Sequence, residues 1–160
     1  MKKLMMIAAL MLMSIGAFAQ VAGQKAIGVY GAYGIDSDYK PFGIGAKFQY
    51  GFTENFRGEL SGTYFLKKDF VTTWDINANV HYVIPLSEGF NVYPLLGATL
   101  LGSKVEILGV SDSDSKFGIN AGGGIEYFFS PNFKGNAEVK YQYVKDGDWP
   151  VIQVGVAYVF

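Results

Sequence analysis

Two sets of residues in this 160-residue chain have the types and spacing to do chemistry. The first is His81, the single imidazole of a sequence that has no cysteine. A nucleophilic set needs a His beside a hydroxyl or thiol, with an acid to orient it. His81 is followed by Tyr82 and Val83, so no serine stands two residues on. One His excludes a multi-histidine metal centre, and the lack of cysteine excludes thiolate sites. His81 therefore reads as an interior polar residue, and no catalytic residue, cofactor or metal site is assigned. The second set is acidic. Ser111-Asp112-Ser113-Asp114-Ser115 and Asp146-Gly147-Asp148 join Asp36, Asp38 and Asp69 in expected loops. Carboxylates so grouped can ligate a divalent cation, but the EF-hand spacing is absent. Solvation of exposed loops is the favoured reading of them. Lys67, Lys68 and Lys104 are available to meet phosphates at the same surface.

Composition limits what can position these groups. Thirteen Lys+Arg against fourteen Asp+Glu leave a net charge of −1, with no basic excess to neutralise a nucleic acid. Half the residues are apolar, which excludes a disordered chain, and the length is that of one domain. The 21 glycines, 16% aromatic and 17% charged residues describe a β-rich chain in a partly apolar solvent.

The first nineteen residues form an address. Lys2 and Lys3 make a positive start, Leu4 to Phe18 an uncharged apolar stretch, and Ala17-Phe18-Ala19 a small-x-small cleavage pattern. Cleavage after Ala19 leaves a mature domain of residues 20–160. Losing two lysines and no acid brings its net charge to −3. Beyond Ala19 no uncharged apolar run reaches the eighteen residues a membrane helix needs.

From Gln20 onward the apolar period is two rather than 3.6, the signature of strands. Residues 42–50, 56–66, 74–84, 117–129, 133–143 and 151–160 alternate cleanly, and 26–33 and 91–101 less so. Pro94 breaks the last of these, since it has no N–H for a ladder. Tight turns are expected at 53–55, 85–89 and 130–132, and longer polar loops at 34–41, 67–73, 102–116 and 144–150. The fold class is all-β, an eight-stranded antiparallel up-and-down transmembrane β-barrel.

Which face looks outward separates a soluble ligand-binding barrel from a membrane one. The polar face carries Gly43, Gly45, Ser61, Gly118, Gly122 and Gly124, small residues suited to a crowded interior. Aromatics on the apolar face gather at strand ends. Tyr64, Trp74, Phe117 and Tyr143 lie beside the long loops; Phe52, Phe56, Tyr82, Phe129, Phe133 and Phe160 lie beside the short turns. Two such girdles mark two membrane interfaces. The apolar face is accordingly placed against lipid. Parity then sends Lys47, Arg57, Lys134 and Lys140 into the lumen with Glu59, Asp75, Glu126 and Glu138. Four positive and four negative charges in a low-dielectric interior are expected to pair and plug the tube, Arg57 holding a carboxylate such as Glu59 or Asp75. The alternative is a narrow path for ions or small solutes.

The last strand ends in Phe160 with Tyr158, Val156, Val154 and Ile152 at alternating positions. With Phe117 to Tyr127 and Tyr93 to Ala98, it resembles small eight-stranded outer-membrane barrels of Gram-negative bacteria, the kind typified by OmpX, Ail and the OmpA transmembrane domain. The resemblance implies several things together. The terminal residues Val154, Val156, Tyr158 and Phe160 act as a signal read by the outer-membrane assembly machinery. The partners are outer-membrane lipid and lipopolysaccharide, and the barrel is a monomer with a structural or surface-interaction role through its loops. Some barrels of this size modify lipid A with a His beside a Ser, and the surroundings of His81 lack that pattern.

Overall fold

The computed structural model describes residues 2–3, 22–35, 41–68, 71–144 and 148–160. The expected signal segment after Lys3 lies outside the described residues, as do Asp36, Asp38, Asp69 and Asp146. The strands are β1 (Lys25–Gly34), β2 (Phe42–Gly51), β3 (Phe56–Lys68), β4 (Val71–Tyr82), β5 (Ile84–Ser87), β6 (Phe90–Ile107), β7 (Val110–Ser130), β8 (Phe133–Val144) and β9 (Trp149–Val159). Their order is β4-β3-β2-β1-β9-β8-β7-β6-β5, and a β4–β6 pairing closes the ring. The four-residue β5 pairs only with the start of β6, so eight strands build a closed antiparallel barrel, as the alternation predicts.

Side-chain period two produces this shape directly. Along β1, β2, β8 and β9 exposure alternates residue by residue, with the apolar set outside. Following paired residues once round the barrel, through Ala26, Gln49, Glu59, Asn79, Gly97, Asn120, Gln142 and Trp149, advances about ten residues along the strands. For eight strands that stagger corresponds to a tilt of roughly 45° and an interior just wide enough for side chains to fill. Pro94 is accommodated by the closure. The β4 ladder ends at His81↔Leu95 and the β5 ladder begins at Ile84↔Val92, so Pro94 falls in the gap between them.

Three expected connections are wrong in extent. The loop expected at 102–116 is a continuous hairpin, laddered from Leu101↔Lys116 to Ile107↔Val110 around a two-residue turn at Leu108-Gly109. Lys104, Asp112 and Asp114 therefore sit on strands. Lys104 and Asp114 are exposed there, a polarity that composition alone reads as loop. Between β3 and β4 the loop narrows, because Lys68 pairs with Val71. Within 85–89, residues Ile84–Ser87 form β5 and only Glu88-Gly89 turn. The last strand also starts at Trp149 rather than at 151.

The β6–β7 hairpin outgrows its neighbours. On the β7 side the ladder to β8 begins at Gly118↔Val144, so 110–117 form an open strand edge among the described residues. By strand rise and tilt the tip stands roughly 15 Å above the Phe117 level.

Candidate functional site

The lumen collects every one of the eight charged residues that parity sends inward, and all are buried. They occupy successive levels. Nearest the short turns, Arg57 on β3 reaches across to β7, where its Nη1 donates to both oxygens of Glu126 at 3.0 and 2.9 Å. Lys134 Nζ stands 3.2 Å from Glu126, and Asn91 donates to the same carboxylate at 3.1 Å. Above this, Gln49 donates to Glu59 at 2.6 Å, Tyr93 to Glu138 at 3.0 Å and Lys47 to Asn136. Higher still, Asp75 accepts from Asn77 at 2.8 Å and Gln142 at 3.0 Å. Asn120 bridges Asn77 and Asn79 at 2.8 and 2.9 Å.

The expected charge-to-charge network is thus only partly realised. Among the described residues, Arg57 and Lys134 converge on Glu126, while Lys47, Asp75 and Glu138 meet neutral amide or phenol partners. Lys140 Nζ makes no hydrogen bond. Arg57 holds Glu126, neither Glu59 nor Asp75. The reason is height: lumenal residues on different strands are stepped along the axis by the barrel stagger, and Asn, Gln and Tyr fill the levels between charges.

His81 joins the middle level. Arg57 Nε donates to its Nδ1 at 3.2 Å, and its ring stacks on Tyr93 with centroids 4.5 Å apart. Glu59, His81 and Glu138 bring ligand atoms within 4.8 Å of one another, a spacing that suits a metal ion. The hydrogen bond from Arg57 decides against that use. With Nδ1 accepting, the neutral ring carries its proton on Nε2, which then has no lone pair for a cation. Nε2 points toward Glu59 Oε1 at 3.8 Å, beyond hydrogen-bond length. Among the described residues, His81 Nε2 and Glu138 Oε1 have no hydrogen-bond partner.

Both ends of the polar column are covered by apolar side chains. At the loop end Tyr30, Ala32, Phe65, Trp149 and Val151 cluster, and the Phe65 and Trp149 rings lie 5.1 Å apart. At the turn end Ala26, Phe128, Ala157 and Val159 cluster. Tyr30, Tyr93 and Trp149 were not among the expected lumen residues. Inward parity along β1 and β6 was the available signal, blurred there by apolar residues on both faces. Lumenal glycines make room for these rings: a Cβ on Gly45 would lie 2.3 Å from the Tyr30 ring, and one on Gly124 2.6 Å from that of Tyr93.

Outside, the expected aromatics all point away from the lumen. Tyr64 pairs with Trp74 at the loop end. At the turn end Phe56 packs edge-on against Tyr82, and Phe133 against Tyr158, with centroids 5.1 and 5.2 Å apart. Phe129 packs likewise against Tyr127, and Phe52 against Tyr50. Phe117, Tyr143 and Phe160 are exposed at the same two levels, as are Tyr33 and Phe42, two aromatics outside the expected girdles. On β9, Val154, Val156 and Tyr158 face outward too.

A closed eight-stranded barrel with aromatics in two outward bands and a hydrogen-bonded polar interior is now complete, and the family model for the outer membrane protein β-barrel domain matches residues 5–160. The chain belongs to that family. Among solved structures, this outer membrane β-barrel is similar to Ail, the attachment invasion locus protein of Yersinia pestis, at 24% identity and a TM-score of 0.64. That match covers 88% of this chain and 100% of the other. It is similar to the N-terminal β-barrel domain of Pseudomonas aeruginosa OprF at 20% identity and a TM-score of 0.69, over 88% and 100% of the two chains. The match to Pseudomonas aeruginosa OprG has 13% identity and a TM-score of 0.67, over 91% and 99%. At these identities the likeness is one of fold. No curated protein matches the sequence significantly.

Proposed function

We propose that this outer-membrane β-barrel is a plugged, non-enzymatic anchor that carries a surface-interaction role outside the membrane. The leader directs export and is removed after Ala19, and the strand ending in Phe160 is presented to the assembly machinery. The observation that carries the reading is the filled lumen: buried side chains hydrogen-bond across it at successive heights, and apolar clusters cover both ends. A tube so filled favours a plug over a water path, and among the described residues its one imidazole is held by Arg57 and Tyr93. Among the described residues, the projecting β6–β7 hairpin and its open edge are available to a partner. The name of Ail as an attachment protein agrees with such a role.

The test pairs two measurements on the purified protein. Folded barrel, recognised by faster gel migration before boiling than after, should give no discrete conductance steps in planar bilayers. Regular steps that vanish on boiling would replace the plug with a narrow channel. Release of fatty acid from lipid A, lost in His81→Ala, would replace it with an enzyme.

A further inference from the structure

Unmet polar atoms gather on one wall of the lumen. Asn120 on β7, Glu138 and Lys140 on β8 and Gln153 on β9 are neighbours by register. Glu138 stands opposite Gln153, Lys140 is the next inward residue above it, and Asn120 lies diagonally across from Lys140. All four side chains are buried, yet Asn120 Oδ1, Glu138 Oε1, Lys140 Nζ and Gln153 Nε2 each lack a hydrogen-bond partner among the described residues. By strand rise and tilt the four residues fall within roughly 7 Å along the barrel axis. The positions paired with Asn120 and Lys140 are Gly97 on β6 and Gly122 on β7, so no side chain from there reaches the unmet atoms. The levels beyond are satisfied, with Gln142 donating to Asp75 above and Arg57 to Glu126 below.

A buried ammonium or amide left unmet is costly, so these atoms need a ligand. The balance of groups says which. Two donors, on Lys140 and Gln153, stand among two acceptors, on Glu138 and Asn120. Among the described residues the lumen as a whole holds four positive and four negative side chains. An anion would suit the donors but face the Glu138 carboxylate, and a metal cation would face the Lys140 ammonium. A small neutral molecule that both donates and accepts suits all four atoms. We propose that this wall holds an enclosed cluster of ordered water molecules bridging Lys140 and Gln153 to Asn120 and Glu138. Glu138 extends the cluster to His81, whose Nε2 is also unmet. Ligand atoms of Glu59, His81 and Glu138 lie within 4.8 Å of one another, a span that one water bridges. The inference deepens the plugged reading of the lumen, because the apolar clusters at both ends separate this water from bulk solvent.

The test is a crystal structure of the barrel, shown to be folded by its gel shift, at a resolution that reveals water. A second crystal is grown with bromide in place of chloride. Expected are solvent peaks within about 3.2 Å of Lys140 Nζ and Gln153 Nε2, with no anomalous bromide signal at either. Gln142 Nε2, equally buried but bonded to Asp75, is the internal control and should have no such peak. In Lys140→Met the peak beside position 140 should be lost. No peak at Lys140 and Gln153 in the unmodified barrel, a bromide signal at either, or an undiminished peak in folded Lys140→Met would overturn the proposal. Conductance steps would defeat the plug itself, whereas a non-conducting barrel without the peaks would remove only the water cluster.

Discussion

Arg57 and Glu126 lock together across the lumen, with Nη1 between both carboxylate oxygens at 3.0 and 2.9 Å, although their strands β3 and β7 are not neighbours. The pair is a strut through the barrel, fully desolvated at the turn end. Removing the guanidinium leaves Glu126 with Lys134 and Asn91, and leaves His81 Nδ1 without its donor. Breaking one partner of a buried pair costs about 3–5 kcal/mol. Arg57→Ala should lower stability by that amount in urea titrations of the lipid-reconstituted barrel. An unchanged midpoint would mean that the strut carries no stability.

Replacing both partners is a different matter. A buried ion pair exchanged for apolar side chains of similar volume is often neutral or stabilising, because neither charge needs desolvating. Arg57→Met with Glu126→Leu should therefore be less destabilised than Glu126→Leu alone, which strands Arg57 as well as Lys134. The coupling, read from a double-mutant cycle of unfolding free energies, should be favourable to the wild-type pair by more than about 1 kcal/mol. Additive single effects would show that the two residues act independently.

His81 yields a spectroscopic prediction. Because Arg57 donates to Nδ1, nitrogen NMR of the reconstituted barrel should find the proton on Nε2. Added zinc should then leave both the imidazole signals and the unfolding midpoint unchanged, despite the 4.8 Å spacing among Glu59, His81 and Glu138. A zinc-induced rise in stability, lost in His81→Phe, would reverse the tautomer and reinstate a metal site.

The barrel was legible in the sequence because its outer face must be continuously apolar and its inner face is crowded, so parity alone sorts Lys47, Glu59 or Val154. Pairing inside was not legible. Which charge meets which depends on stagger, and Arg57 and Glu126, 69 positions apart, meet only because the ladders bring β3 and β7 to matching heights. Tyr30 and Tyr93 escaped for a related reason: an aromatic on a strand that alternates poorly gives no hint of its side. The β6–β7 hairpin escaped because Asp112 and Asp114 have loop-like composition, while a protruding strand has no buried face to impose apolar alternation.

Glycine positions separate crowding from freedom. A Cβ on Gly45 would collide with the Tyr30 ring at 2.3 Å and with the Gly62 carbonyl oxygen at 2.6 Å. Gly45→Ala should cost about 1–3 kcal/mol, as overpacking does. Gly62 lies on an outward groove walled by Val29, Ile44, Tyr64 and Ile76, where the nearest atom to a new Cβ is 3.7 Å away. Gly62→Ala should be neutral or stabilising by up to about 1 kcal/mol, through reduced freedom of the unfolded chain. Equal losses in chemical denaturation would contradict the difference in packing.

Adjacent residues on β9 give the most direct test of which face meets lipid. Val154 is 61% exposed on the outer face, between its partners Gly31 and Ala137, while Gln153 is 2% exposed in the lumen. An arginine at mid-membrane on the lipid side costs about 2–4 kcal/mol in a barrel. Val154→Arg should therefore lose that much stability and fold more slowly into bilayers, with the loss shrinking as the host bilayer is made thinner. Gln153→Arg meets packed side chains instead of hydrocarbon, so its effect should not depend on bilayer thickness. Opposite thickness dependences for the two variants would mean that the barrel is turned inside out, with Val154 toward its interior.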